Sequence, residues 1–448
     1  MKLNFGLIVF KGRWMPIRIN SNSSNFGDEF RKFLNSQRET LSDVENIVTQ
    51  IITEVRERGD HALFDLTKKF DDCVLTENNI RISESEIEKS YQKCNTQELD
   101  ALNMASDRIR SFHEKQFPDN YNYIDSEGVE LGLKWNPIES VGIYVPGGSA
   151  SYPSSVLMNA IPARVAGVKR LVMVSPATKG KLNPLVLAAA KISGVDEIYR
   201  IGGAQAIGAL AYGCNSLNAV DKIVGPGNAY VAAAKRQVFG TVGIDMVAGP
   251  SEILVVADNK NDPEWIAVDL LSQAEHDPLA QSILITDDIE FANKVEVAID
   301  ACLPLLARKD IATASWGNFG VIIIIDNMEQ APEVVNKIAP EHLELAIDEP
   351  QKMADKIVNA GAIFLGRRTP EALGDYVAGP NHVLPTSRTS RFSSGLGLID
   401  FMKRTTLVGV TESSIKKIGP AAIILAEAEG LGAHALSIKL RLGRRRDA

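Results

Sequence analysis

Cysteine is scarce in this chain and nowhere paired. Cys73, Cys94, Cys214 and Cys302 lie far apart, and no CxxC occurs. That argues against a disulfide framework or a thiolate metal site and for free thiols in a reducing compartment. No apolar run is long enough to span a bilayer. Positive charge is in deficit: 48 Lys and Arg against 56 Asp and Glu leave a net charge of −8. Such a balance argues against nucleic acid as the main partner, because phosphate contacts need clustered Lys and Arg. The one basic cluster, Lys439 to Arg446, is terminal and reads as a solvated end. A secretory signal is not expected: the apolar run Phe5 to Phe10 is short, and Lys11 and Arg13 follow it without a small-residue cleavage site. Residues 1–14 read as an extension or a mis-assigned start ahead of Met15, and the expected location is the cytoplasm.

What is present is a chain of 448 residues, enough for two to four domains with large cores. Residues 28–115 read as helical. Val44, Ile47, Val48, Ile51, Ile52 and Val55 form one apolar stripe at helical spacing. From Ser140 the rhythm changes to short β-rich runs alternating with helical patterns: Val141–Val145, Leu171–Val174, Glu197–Ile201 and Lys222–Val224, each followed by a helix. A second series places strands at Ile253–Ala257, Ser282–Thr286, Gly320–Ile325, Leu343–Ile347 and Ala362–Leu365. Strands separated by helices imply crossover connections and parallel sheets. The expectation is two Rossmann-like, doubly wound α/β units with small helical segments at both ends. Several strands run into glycine, as at Pro146-Gly147-Gly148, Gly202-Gly203 and Gly225-Pro226-Gly227. Carboxyl-end loops of this kind receive ligands in open α/β sheets. No G-x-G-x-x-G dinucleotide fingerprint follows any strand.

The chain has only six histidines, and four have unusual surroundings. Gln273 and His276 are three apart near a helix end, so both can face one point. They read as a metal pair or as a histidine capping carbonyls. Glu341-His342 stands at a strand entrance, either as an acid/base pair or as two separate surface contacts. The polar loop Gly374 to His382 offers Asp375 as a hard oxygen ligand and His382 as its hydrogen-bond partner. His434, on a late helix, reads alone as a core or surface histidine.

Val141 to Gly148, Gly225 to Val231, Ala248 to Glu252, Asp269 to His276, Pro340 to Glu344, Gly374-Asp375-Tyr376 and Gly430 to His434 follow one another along the chain. In order and spacing these seven segments resemble the histidinol dehydrogenase family. The resemblance covers roughly residues 28 to 442. It implies a zinc- and NAD-dependent, two-step oxidation of L-histidinol to L-histidine by way of the aldehyde. One Zn2+ per subunit is implied, on Gln273, His276, Asp375 and His434, with His434 crossing from the neighbouring subunit of an intertwined homodimer. His342 matches the family's base and Glu341 its water-activating group. Ser251, Gln273, His276, Glu341, His342, Asp375, Glu429 and His434 match its substrate contacts, and Tyr144, Gln205 and Asn228 its NAD contacts. The division implied is 1–39 as an extension with a small helical segment, 40–140 with 251–396 as the zinc and substrate domain, 141–250 as the NAD domain, and 397–448 as a helical dimerisation segment. A related zinc dehydrogenase acting on another small alcohol, such as a sulfonated one, is the alternative.

Overall fold

The computed structural model describes residues 16–35, 42–147 and 152–443. The expectations for residues 1–14, for Gly148 and for Arg444 to Arg446 lie outside the described residues. The strands in chain order are β1 (Ile17–Asn20), β2 (Tyr121–Ile124), β3 (Glu130–Pro137), β4 (Ser140–Tyr144), β5 (Arg170–Val174), β6 (Glu197–Tyr199) and β7 (Lys222–Val224). There follow β8 (Gly243–Ile244), β9 (Glu252–Ala257), β10 (Gln281–Thr286), β11 (Val321–Ile324), β12 (His342–Ala346), β13 (Ala362–Leu365) and β14 (Met402–Gly409).

Among the described residues, two of the three sheets are wholly parallel, as the β–helix alternation requires. One has the order β6-β5-β4-β7-β8 and the other β1-β11-β10-β9-β12-β13. In the first, Val172, Val174 and Ile223 pack under the helices Ser42–Arg58, Gly203–Tyr212 and Ala229–Val238. Their neighbours Val141, Ile143, Leu171 and Met173 pack on the other face, under Thr96–Glu114, Pro153–Ala166 and Pro184–Ser193. Period-two alternation with apolar residues on both faces is what a sheet covered twice demands. The six-stranded sheet repeats the pattern, with Leu254, Ile283 and Ile323 on one side and Ile253, Leu284 and Ile322 on the other.

Three features differ from the sequence reading. Ile17–Asn20 is an edge strand of the six-stranded sheet, in register with Val321 to Ile324; only Ile19 of its four residues is buried, so its pattern carries little signal. The helices between residues 42 and 114, grouped with 251–396 in the sequence reading, pack on the five-stranded sheet, because Val48, Ile52 and Val55 find their apolar partners there; the last of them also meets Val383 and Leu396. The segment after residue 397 is not wholly helical: β14 pairs antiparallel with β3, and β3 with β2, in a third sheet. Beyond it the helices Glu412–Ala428 and Gly432–Arg441 form a hairpin with a small core of Ile423, Ala426 and Ala435.

Candidate active site

The site grows from the entrances of two neighbouring strands, β9 and β12. Glu252 is the first residue of β9, and both of its backbone polar groups serve the Glu341-His342 pair. Its N–H donates to Glu341 Oε2 at 2.8 Å, and its carbonyl lies 2.9 Å from His342 Nδ1. A carbonyl can only accept, so Nδ1 carries the ring proton and the lone pair is on Nε2. Burial holds the His342 pKa below its ordinary value, because charging an imidazole away from water is costly. The ring is therefore neutral, with a basic nitrogen on one known side. Glu341 Oε2 is 3.7 Å from His342 Nδ1. The adjacent residues thus form one buried unit, not two surface contacts.

His342 Nε2 points at carboxylates: Glu371 Oε1 at 3.6 Å and Asp375 Oδ1 at 3.9 Å. Both lie on the short helix Glu371–Tyr376, four residues apart and so on one face. Glu371 is almost fully buried. Burial first, and then the neighbouring Asp375, push its pKa up to about 10, which makes it a neutral acid. Beneath it, Glu344 Oε1 accepts from the Glu371 N–H at 2.5 Å. Burial and the adjacent Asp269 raise the Glu344 pKa well above normal, and burial raises Asp269 to about 6.

Gln273 and His276 converge as their spacing predicts, Gln273 Nε2 lying 3.3 Å from His276 Nδ1. Gln273 Oε1, His342 Nε2 and Glu371 Oε1 are buried with no hydrogen-bond partner in the protein. Buried polar atoms are nearly always satisfied, so these three mark where a further group belongs. Oxygen and imidazole donors suit zinc. Among the described residues, His342, Glu371 and Asp375 bring imidazole and carboxylate donors together, with ligand atoms within 4.8 Å of one another. This group shares only Asp375 with the set implied from the sequence. His382 bonds the Asp375 carbonyl through Nδ1 at 3.1 Å and approaches Ser155 through Nε2 at 3.4 Å. It thereby ties this helix to Pro153–Ala166 of the other unit. A cavity of about 550 Å3 opens here, lined by His342, Phe364, Asp375, His382 and Leu384 among others.

Other expected residues lie further out. Ser251 precedes β9 and is half-buried. Tyr144 ends β4, its hydroxyl accepting from the Gly203 N–H at 3.2 Å. Gln205 is buried at the start of the helix Gly203–Tyr212, and Asn228 follows β7 and caps the helix Ala229–Val238. These three stand at the carboxyl ends of the five-stranded sheet. Glu429 and His434 are exposed on the C-terminal hairpin, and neither joins the buried group around His342 within one chain. Glu371 and the backbone of Glu252 were not singled out from sequence. For Glu371 the usable signal was its place one turn before Asp375; for a backbone group no residue-type signal exists.

Two parallel α/β units with a buried imidazole and carboxyl groups at strand ends suit an enzyme of the dehydrogenase type. The chain belongs to the histidinol dehydrogenase family, whose sequence profile matches residues 34–442, and it is an oxidoreductase. It is 59% identical over 431 residues to the histidinol dehydrogenase of Rhodospirillum rubrum, covering 96% of this chain and 99% of that one. With the Ruegeria pomeroyi enzyme the identity is 55%, at 96% and 99% coverage. The crystal structure of histidinol dehydrogenase from Elizabethkingia anophelis superposes with a TM-score of 0.90 at 39% identity, covering 96% of this chain and 98% of that one.

Proposed function

We propose that this protein oxidises L-histidinol to L-histidine in two NAD-dependent steps, as the last stage of histidine biosynthesis. The observation that carries the reading is the His342 ring, neutral, with Nε2 buried and unpaired. Gln273, His276 and Asp375 would hold zinc, with His434 supplied by a second copy of the chain in a homodimer. The His342–Glu371–Asp375 group would not be the zinc set, because His342 would then lose the lone pair a base needs. When bound, zinc would orient the substrate and NAD would accept hydride. The chain's own residues do the rest. His342 Nε2 takes the hydroxyl proton as hydride leaves the alcohol carbon, giving the aldehyde. Glu341 then draws a proton from the water that attacks the aldehyde, a second hydride leaves to give the carboxylic acid, and that acid releases its proton to solvent as the carboxylate. Ser251 and Glu429 would complete the substrate pocket, and Tyr144, Gln205 and Asn228 would meet NAD.

The test is NADH stoichiometry with zinc content. Two NADH per L-histidinol are expected, and His342→Ala should lower kcat by about a hundredfold or more with zinc retained. Turnover of a sulfonated alcohol with none of histidinol would overturn the substrate. Zinc loss in His342→Ala would make His342 a ligand.

A further inference from the structure

Beneath the loop that follows β7 lies a buried ion pair for which the reaction has no direct use. Lys235, on the helix Ala229–Val238, is 2% exposed. It pairs with Asp245, whose side chain is 1% exposed. Lys235 Nζ donates to the carbonyl of Gly225 at 2.9 Å, and the Gly225 N–H donates to Asp245 Oδ2 at 2.8 Å. Asp245 Oδ1 also accepts from the Met246 N–H at 2.6 Å. The pair therefore engages both backbone groups of a single residue.

That residue has to be glycine. Its φ is +110°, and a Cβ would collide with the carbonyl of Tyr144. Gly225 is thus pressed against one residue assigned to NAD and lies three positions before another, Asn228. Asn228 Oδ1 in turn accepts from the N–H groups of Tyr230 and Val231, closing the loop onto its helix. A buried ion pair is a poor source of stability, since apolar residues of similar volume commonly do as well. Its distinctive property is directional: two charged groups fix the two peptide groups on either side of one Cα, one through its N–H and the other through its carbonyl.

We propose that Lys235 and Asp245 are positioning residues that clamp Gly225 and so shape the Gly225–Asn228 loop to receive the dinucleotide. Neither would touch NAD. The proposal rests on the cofactor reading above.

The experiment compares wild type with Lys235→Met and with the charge-neutral double variant Lys235→Met/Asp245→Asn, which carries the test if the single variant does not fold. KM for NAD should rise about tenfold in either, the scale of one lost charge-assisted hydrogen bond. KM for histidinol and zinc content should stay within about twofold of wild type. Amides of residues 225–231 should exchange faster in hydrogen-exchange mass spectrometry, without a general rise elsewhere. A folded variant with wild-type KM for NAD would overturn the proposal; loosened loop amides in that variant would show that the clamp exists but does not serve the cofactor. A wild-type enzyme producing no NADH would remove the cofactor reading and this proposal together.

Discussion

The state of the His342 ring is set by what surrounds it rather than by its residue type. Its position beside Glu341 was readable from the chain, but its tautomer follows from the Glu252 carbonyl, a group no side-chain pattern reveals. His113 makes the same point about environment, with a different outcome. It is completely buried, its Nδ1 bonded to the Ile109 carbonyl at 2.7 Å, and burial lowers its pKa from 6.5. Unfolding lets the ring protonate more readily. The stability from keeping it neutral is therefore present in full above pH 6.5 and is lost as pH falls through and below that value. His113→Gln should flatten the decline in urea midpoint between about pH 7.5 and pH 5.5. An unchanged acid slope in that variant would assign the decline to other groups.

Among elements, the short helix Glu371–Tyr376 shows how a weak local signal becomes a functional one. Six residues are too few for helical periodicity to announce them, yet this helix delivers Glu371 and Asp375 to His342. The strands β1 and β14 were missed for a related reason. β1 has one buried residue, and β14 is exposed or half-exposed throughout, so neither shows the buried-face alternation of a core strand. The helix Thr96–Glu114 has a chemically marked start, which the reading of 28–115 as helical did not use. Asn95 accepts from the Glu98 N–H while Glu98 reaches back to the Asn95 N–H, a full capping box. Asn95→Ala should cost about 1 kcal/mol of stability, read from the urea midpoint, with kcat unchanged. A loss of kcat would mean that the helix reaches the site through Arg108, which bonds the Val377 and Ala378 carbonyls.

For the molecule as a whole, the two sheets face the chemistry from opposite ends. Tyr144 and Gly225 close strands of the five-stranded sheet, whereas Glu252 and His342 open strands of the six-stranded one. The residues proposed for NAD thus stand at carboxyl ends of the first sheet, and those proposed for proton transfer at amino ends of the second. The exposed hairpin with Glu429 and His434 sets a further test. Mixing His434→Ala and His276→Ala protomers should restore about a quarter of wild-type activity, since half the dimers are mixed and each holds one whole site. No recovery in verified mixed dimers would place the His434 function within one chain. Residue order alone carried the parallel α/β class, the Gln273–His276 convergence and the Glu341–His342 pair, because all three depend on spacing along the backbone. The approach of Glu371 to His342, the tautomer of that ring, the return of β14 to β3 and the Lys235–Asp245 clamp arise from segments far apart in the chain. Their contacts are set by packing and burial, and neither leaves a periodic trace in the sequence.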